Sequence, residues 1–218
     1  MDSTVKAKSM FITLEGIEGC GKTTQIDHLS AFIDDKGHSS VVTREPGGTA
    51  IGDKIRTILL DPQNKDLDPT AELLLYMADR AQHINSLIKP KLNAGKIVLC
   101  DRYFDATAVY QGFARGLDTE LIFDLHRLVF SDLKPDITFL LDLSPRIGLA
   151  RAWDQLNNGT RTSSECRFEE ETLSFHEKVR AGYLELARLE PERFKVIDAS
   201  KEEKQVQKDI QKVLENFF

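Results

Sequence analysis

Cysteine is scarce in this 218-residue chain, which carries only Cys20, Cys100 and Cys166. So few, and an odd number, rule out a disulfide framework, and their spacing matches no zinc motif. They read as free thiols of a reduced, cytoplasmic protein. Long apolar runs are missing as well. The longest clear one, Leu73–Ala78, has six residues, whereas a membrane span needs about 20. The opening residues Met-Asp-Ser-Thr-Val-Lys-Ala-Lys hold no apolar stretch of the kind a secretory signal requires. Excess positive charge is also absent. Lys+Arg 29 against Asp+Glu 35 gives a net charge of −6, which argues against a coat for a nucleic-acid polymer but leaves room for a local basic pocket. The five histidines (His28, His38, His83, His126, His176) show no metal-ligand spacing and read as structural or solvated. No repeat or low-complexity linker divides the chain, so one domain over residues 1–218 is expected.

What is present is an ordinary globular balance, 41% hydrophobic and 29% charged. Short strand-like runs occur at Met10–Leu14, Val41–Thr43, Ile97–Cys100, Ile137–Leu143 and Phe194–Ile197, separated by helical stretches. Their continuous apolar character suits strands buried on both faces. The expectation is an α/β fold, a parallel five-stranded sheet flanked by helices. Asp68 before Pro69 signals a helix start, running to about Lys89, where Pro90 should break or kink it. Ser144 before Pro145 repeats that signal. Ser200 with Glu203 reads as a capping box, opening a helix with Val206, Ile210, Val213, Leu214 and Phe217 on one face. The polar stretch Asn157–Cys166 lacks helical periodicity and reads as a mobile loop.

Gly16-Ile17-Glu18-Gly19-Cys20-Gly21-Lys22-Thr23 matches G-x-x-x-x-G-K-[ST], with an apolar strand before it and a helix after it. The glycines let backbone N–H groups turn inward around phosphate oxygens, and the helix N-terminus adds its positive end. Lys22 should reach the β- and γ-phosphates of ATP, with the Thr23 hydroxyl on Mg²⁺. Cys20, at that helix start, could have a lowered pKa. A P-loop NTPase fold follows, but three activities share it. A GTPase needs Asn-Lys-x-Asp, and Asn64-Lys65-Asp66-Leu67 lacks the final aspartate. A motor ATPase would end its acidic strand in a carboxylate pair, whereas Asp101 is followed by Arg102. A small-molecule kinase accounts for more residues.

Thr43-Arg44-Glu45-Pro46-Gly47-Gly48-Thr49, then Leu74 through His83, then Asp101-Arg102-Tyr103 followed by Tyr110-Gln111-Gly112, resemble in order and spacing the signature segments of the thymidylate kinases. The resemblance runs from about Met10 to the C-terminal helix. It implies phosphorylation of dTMP to dTDP with ATP and Mg²⁺. The alternatives are another nucleoside monophosphate kinase, or a P-loop module that binds nucleotide without turnover. It also implies a homodimer, with the helices around Leu121–Phe130 and Leu73–Met77 as candidate interface.

Residue by residue, the resemblance assigns Tyr76 to stacking on thymine, where the family usually has phenylalanine, and Arg80 to the base O4. Arg102 would grip the acceptor phosphate, with Asp101 orienting it or holding Mg²⁺ through water, and Arg56 would be a second phosphate contact. Thr107 and Gln111 would line the base. Tyr110 would crowd the sugar C2′, and Glu18 would accept from the 3′-hydroxyl. Ala106 stands where serine is common. Glu45 is open between a nucleotide-side role and a loop role. The P-loop lacks the arginine of one family branch, so the chain resembles the branch with a basic lid, here about residues 153–168. Arg161 is the first candidate for the lid arginine, with Arg151 and Arg167 behind it. A general base is not required.

Overall fold

The computed structural model describes residues 9–130, 133–160, 162–215 and 217. Its five strands are β1 (Met10–Glu15), β2 (Ser40–Arg44), β3 (Ile97–Asp101), β4 (Ile137–Asp142) and β5 (Phe194–Asp198). They form one parallel sheet in the order β2-β3-β1-β4-β5. Every strand lies within one residue of its expected ends. β1 is central and buried along its whole length. Its two polar residues are satisfied inside the core. Thr13 Oγ1 bonds Thr138 Oγ1 at 2.8 Å, and Glu15 accepts from the Tyr103 N–H and the Tyr183 hydroxyl, both at 2.7 Å. Leu14 of β1 and Arg44 of β2 both pair with Asp101 of β3. The C-terminal ends of three strands are therefore level, and ligands of open α/β sheets gather at that edge.

Helices α1 (Lys22–Asp35), α2 (Ala50–Leu60), α3 (Pro69–His83) and α4 (Lys89–Asn93) occupy the first half. The Asp68 carboxylate accepts from the N–H groups of Thr70 (2.8 Å) and Ala71 (3.1 Å), so the expected start of α3 is realised. Pro90 does not end the helical run. A π-helical turn, Ile84–Ile88, joins α3 to α4 and puts Pro90 in the first turn of the new segment, where its missing N–H costs least. Asn85 Nδ2 and Ser86 Oγ donate to the carbonyls of Ala81 (3.0 Å) and Gln82 (2.6 Å) beside the widened turn.

The second half holds α5 (Phe104–Thr107), a π-helical stretch Ala108–Ala114, α6 (Thr119–Phe130), α7 (Pro145–Asn157), α8 (Leu173–Leu189) and α9 (Glu203–Leu214). Ser144 is the N-cap residue of α7, which begins at Pro145 as that start signal implied, although its side chain makes no cap bond. The Ser200–Glu203 capping box does not form, because the N–H and hydroxyl of Ser200 both turn to Asp198 Oδ1 (3.0 and 2.6 Å) and α9 begins only at Glu203. On α9 Val206, Ile210 and Leu214 are buried and Val213 packs against the core. Phe217 lies past the helix end and is exposed.

His126 of α6 stacks on Phe104, ring centroids 3.9 Å apart, with Nε2 3.2 Å from the Leu133 carbonyl. Burial, and next the Arg80 charge, push its pKa from 6.5 down to about 3. The imidazole is thus neutral in the fold. Below pH 6.5 the unfolded chain takes up a proton that the folded chain refuses. Stability then falls by about 1.4 kcal/mol per pH unit until the folded pKa is reached. His126→Phe removes this contribution. Urea midpoints for the variant and the wild type should diverge in the variant's favour as pH drops from 6.5 towards 4; parallel curves would contradict the assignment.

Candidate active site

The P-loop leaves β1 at Gly16. A Cβ on Gly19 would lie 2.0 Å from the Gly148 carbonyl at the start of α7, and Gly21 sits at φ +96° as the N-cap of α1. Only glycine allows this close, left-handed path. Lys22 folds back over the loop, its Nζ donating to the carbonyls of Ile17 (3.0 Å) and Gly16 (3.2 Å). Cys20 does not have the low pKa that its position suggested. It is buried, burial raises its pKa, and the nearby Lys22 does not offset that.

Two cavities open at this sheet edge and share Glu18, Glu45, Arg56 and Arg102. One is lined by the P-loop residues Gly19, Gly21, Lys22 and Thr23 together with Asp101. The other is lined by Tyr76, Arg80, Thr107, Tyr110, Gln111 and Phe168. Of the expected donor residues Glu18, Gly19, Gly21, Lys22 and Thr23 line the first cavity, while Gly16, Ile17 and Cys20 line neither; all the expected acceptor residues line the second, and Arg56 and Arg102 stand where the two meet.

Arg102 is the only non-glycine among the described residues at positive φ, +65°. That turn aims its guanidinium back across the sheet edge, with Nη2 2.8 Å from Glu18 Oε1, Nη1 3.2 Å from the Tyr183 hydroxyl, and the group 4.9 Å over the Tyr110 ring. Tyr110 also donates to Glu18 Oε1, at 2.7 Å, and Glu18 Oε2 lies 3.1 Å from His176 Nδ1. Burial alone would raise the Glu18 pKa. Arg102 first, then His176, outweigh it and hold the carboxyl well below the usual range. His176 Nε2 is 3.0 Å from the Phe168 carbonyl and therefore donates. Its pKa is raised against burial by Glu18, so Nδ1 can carry a proton towards the carboxylate.

Arg80 is buried, with three of its contacts inside the protein. Nε donates to Glu45 Oε2 (2.7 Å), and Nη2 donates to Thr107 Oγ1 (2.9 Å) and the Tyr103 carbonyl (3.2 Å). Its Nη1 is buried and has no hydrogen-bond partner. The Thr107 hydroxyl thus orients Arg80 as well as lining the cavity. Glu45 is resolved as a bridge. Its other oxygen meets His83 Nδ1 at 2.9 Å, and Arg80 and then His83 lower its pKa against burial. Its peptide bond to Pro46 is cis. The chain therefore does contain histidine–carboxylate pairs, Glu45–His83 and Glu18–His176, which the spacing of histidines in the sequence did not reveal.

The expected lid is only partly an exposed segment. Helix α7 continues to Asn157, exposed turns follow, and Cys166, Arg167, Phe168 and Glu169 are buried. Arg167 is committed to the body. Its Nε donates to the Leu59 carbonyl (2.6 Å) and its Nη2 to Glu72 Oε2. Arg151, on the outer side of α7, lies 3.4 Å from the Ala199 carbonyl and lines neither cavity. Arg161 falls outside the described residues. Arg56 is not free in the cavity: Glu165 takes its Nε (3.0 Å) and Nη2 (2.7 Å), and the Pro46 carbonyl takes Nη1 (2.9 Å).

Sequence reading missed Glu72, His83, Tyr183 and His176 as parts of this site. One signal was available. Glu72, Tyr76, Arg80 and His83 recur at intervals of four, four and three, a single helix face.

With this geometry in place, comparison with known proteins is informative. The family model described as thymidylate kinase matches residues 14–210. A thymidylate kinase of Desulfosudis oleivorans is 60% identical over 190 residues, covering 87% of this chain and 89% of that one. One of Desulforapulum autotrophicum is 58% identical over 197 residues, covering 90% and 87%. The crystal structure of thymidylate kinase from Ehrlichia chaffeensis superposes with a TM-score of 0.74 at 36% identity, covering 94% of this chain and 98% of that one. The family model spans most of the chain and the relatives match it over most of both lengths, so the chain belongs to the thymidylate kinase family.

Proposed function

We propose that the chain transfers the terminal phosphoryl group of ATP to dTMP, giving dTDP and ADP. Family membership supports the reaction, and one structural observation carries the choice of acceptor. Arg80 lines the cavity that Tyr76 and Gln111 also line, and its buried Nη1 has no hydrogen-bond partner within the protein. A buried donor left over in an otherwise satisfied side chain is costly unless a ligand acceptor meets it, and the O4 of thymine is such an acceptor. Tyr76 offers a ring face for the base, Tyr110 and Glu18 stand towards the sugar, and Arg102, with Arg56, serves the acceptor phosphate.

The nucleophile needs no general base, since a phosphate monoester is already ionised near neutral pH (second pKa about 6). The protein contributes position and charge. Lys22 and the P-loop N–H groups hold the donor phosphates, and Arg102 lies between the two cavities, where it can keep attacking and transferred groups together. For magnesium, the residues fit. Asp101 Oδ1 is a buried anionic oxygen with no hydrogen-bond partner, and Thr23 lines the same cavity. These two would hold the ion, which when bound supplies neutralising charge to the triphosphate oxygens. Arg161 remains the first candidate for the donor-side arginine, with Arg151 behind it.

The wider expectations stand as part of this reading. One domain comprises the chain, with its lid between α7 and α8. A homodimer would cover Leu74, Leu121, Leu128 and Val129, all exposed on α3 and α6. Cys20, Cys100 and Cys166 are buried and not joined in disulfides, which suits the cytoplasm. Among the described residues no helix is long and apolar enough to cross a membrane. A coupled ADP-release assay against the deoxy- and ribonucleoside monophosphates tests the reaction. Turnover should be fastest with dTMP. Faster turnover of a purine or cytosine monophosphate would replace the acceptor assignment, and no turnover at all would leave a nucleotide-binding module.

A further inference from the structure

We propose that Glu72, which touches no substrate, decides which bases the acceptor cavity accepts by fixing the amide of Gln111 in one of its two orientations. The inference rests on the reading of that cavity as a nucleobase site.

Glu72 is fully buried on α3, one turn before Tyr76. Its Oε1 accepts from Gln111 Nε2 (2.7 Å) and Arg115 Nε (3.1 Å); its Oε2 accepts from Arg167 Nη2 and, at 3.4 Å, from Arg115 Nη2. A glutamine amide can present either its oxygen or its NH₂, two ends of nearly equal shape. Two guanidiniums already bond this carboxylate as an acceptor, so it can meet Gln111 only at the NH₂ end. The carbonyl oxygen is then the polar end that Gln111 keeps for the cavity it lines. A base edge facing that oxygen must donate.

Thymine and uracil carry N3–H; cytosine has a bare N3 there. Arg80 supplies the complementary half through Nη1–H, which suits a keto oxygen and opposes an exocyclic amine. The donor of Arg80 and the acceptor of Gln111 together read a keto–NH edge. The second half of that code depends on Glu72. With an amide in its place, Gln111 could turn over and offer NH₂ to a bare ring nitrogen at little cost.

Glu72 also anchors Arg167 and Arg115, so the test must separate orientation from general loosening. The full chain is compared as wild type, Glu72→Gln and Arg115→Gln, by calorimetric Kd for dTMP, dUMP and dCMP. In Glu72→Gln the preference for dTMP over dCMP should fall by at least about tenfold, through tighter dCMP binding, since a mismatched buried polar edge carries large discrimination. The Kd for dTMP should move only a few-fold, and dUMP should follow dTMP. Arg115→Gln loosens the same cluster without touching the amide and should keep the preference within about twofold. An unchanged preference in Glu72→Gln, or an equal loss in Arg115→Gln, overturns the proposal while leaving the dTMP reading intact. A wild-type chain that binds neither dTMP nor dUMP overturns both. Should Glu72→Gln not fold, the side-chain amide of Gln111 in ¹⁵N spectra of the wild type decides. It should exchange slowly with and without dTMP, and fast exchange in the free protein overturns the orientation.

Discussion

Arg102→Ala should lower kcat/KM for dTMP by about a thousandfold, as expected when a preorganised charged donor is removed from a phosphoryl-transfer site. The loss has two sources. The guanidinium lies where the two cavities meet and faces both sets of phosphates. It is also the first contributor to holding Glu18 ionised, so its removal leaves a buried carboxylate with Tyr110 and His176 alone. Arg102→Lys restores charge but not the fork, and should recover only part of the activity. Steady-state kinetics at saturating ATP checks this. A kcat/KM within tenfold of wild type would assign Arg102 to folding instead, and a denaturant titration of the same variant would then show the corresponding loss.

Arg80→Leu should cost about 3–5 kcal/mol of folding stability, the range for breaking a buried ion pair by removing one partner. Arg80 and Glu45 are 1% and 3% exposed, and the substitution leaves Glu45 with His83 alone. The double variant Arg80→Leu, Glu45→Leu should recover a large part of that loss, because two apolar side chains replace the pair. Urea unfolding of the three proteins measures the coupling. A single variant within about 1 kcal/mol of wild type would mean that water or His83 compensates Glu45. Affinity for dTMP should stay low in the stable double variant, because the unpartnered Nη1 is lost in both.

Much of the fold was legible because its signals are local. Continuous apolar runs marked all five strands to within a residue, and Asp68-Pro69 marked the start of α3. Where a signal depends on competition it failed. Ser200 had Asp198 as a nearer partner than the helix it was expected to cap, and Pro90 was absorbed by a π turn that no composition rule announces. At the site, Glu18, Gly19, Gly21, Lys22 and Thr23 of the P-loop, with Arg80, Arg102, Tyr110 and Gln111, line the two cavities, because their motifs are contiguous or spaced on one helix. The partners that fix them were not legible. Glu18 and His176 are 158 positions apart, and only the folded chain brings them together. Arg167 was not legible for a similar reason: in sequence it is one more lid cation, while in the fold it is buried against Glu72.

The pairing of Arg56 with Glu165 bears on how the acceptor phosphate enters. The segment between α7 and α8 supplies the cavity with its own anion, held by two bonds of 3.0 and 2.7 Å. A phosphate that takes Arg56 must therefore exchange with a carboxylate of the same chain. The charge around the guanidinium changes little in that exchange, so few dissolved counter-ions are released. Binding should then depend less on ionic strength than the number of arginines in the cavity suggests.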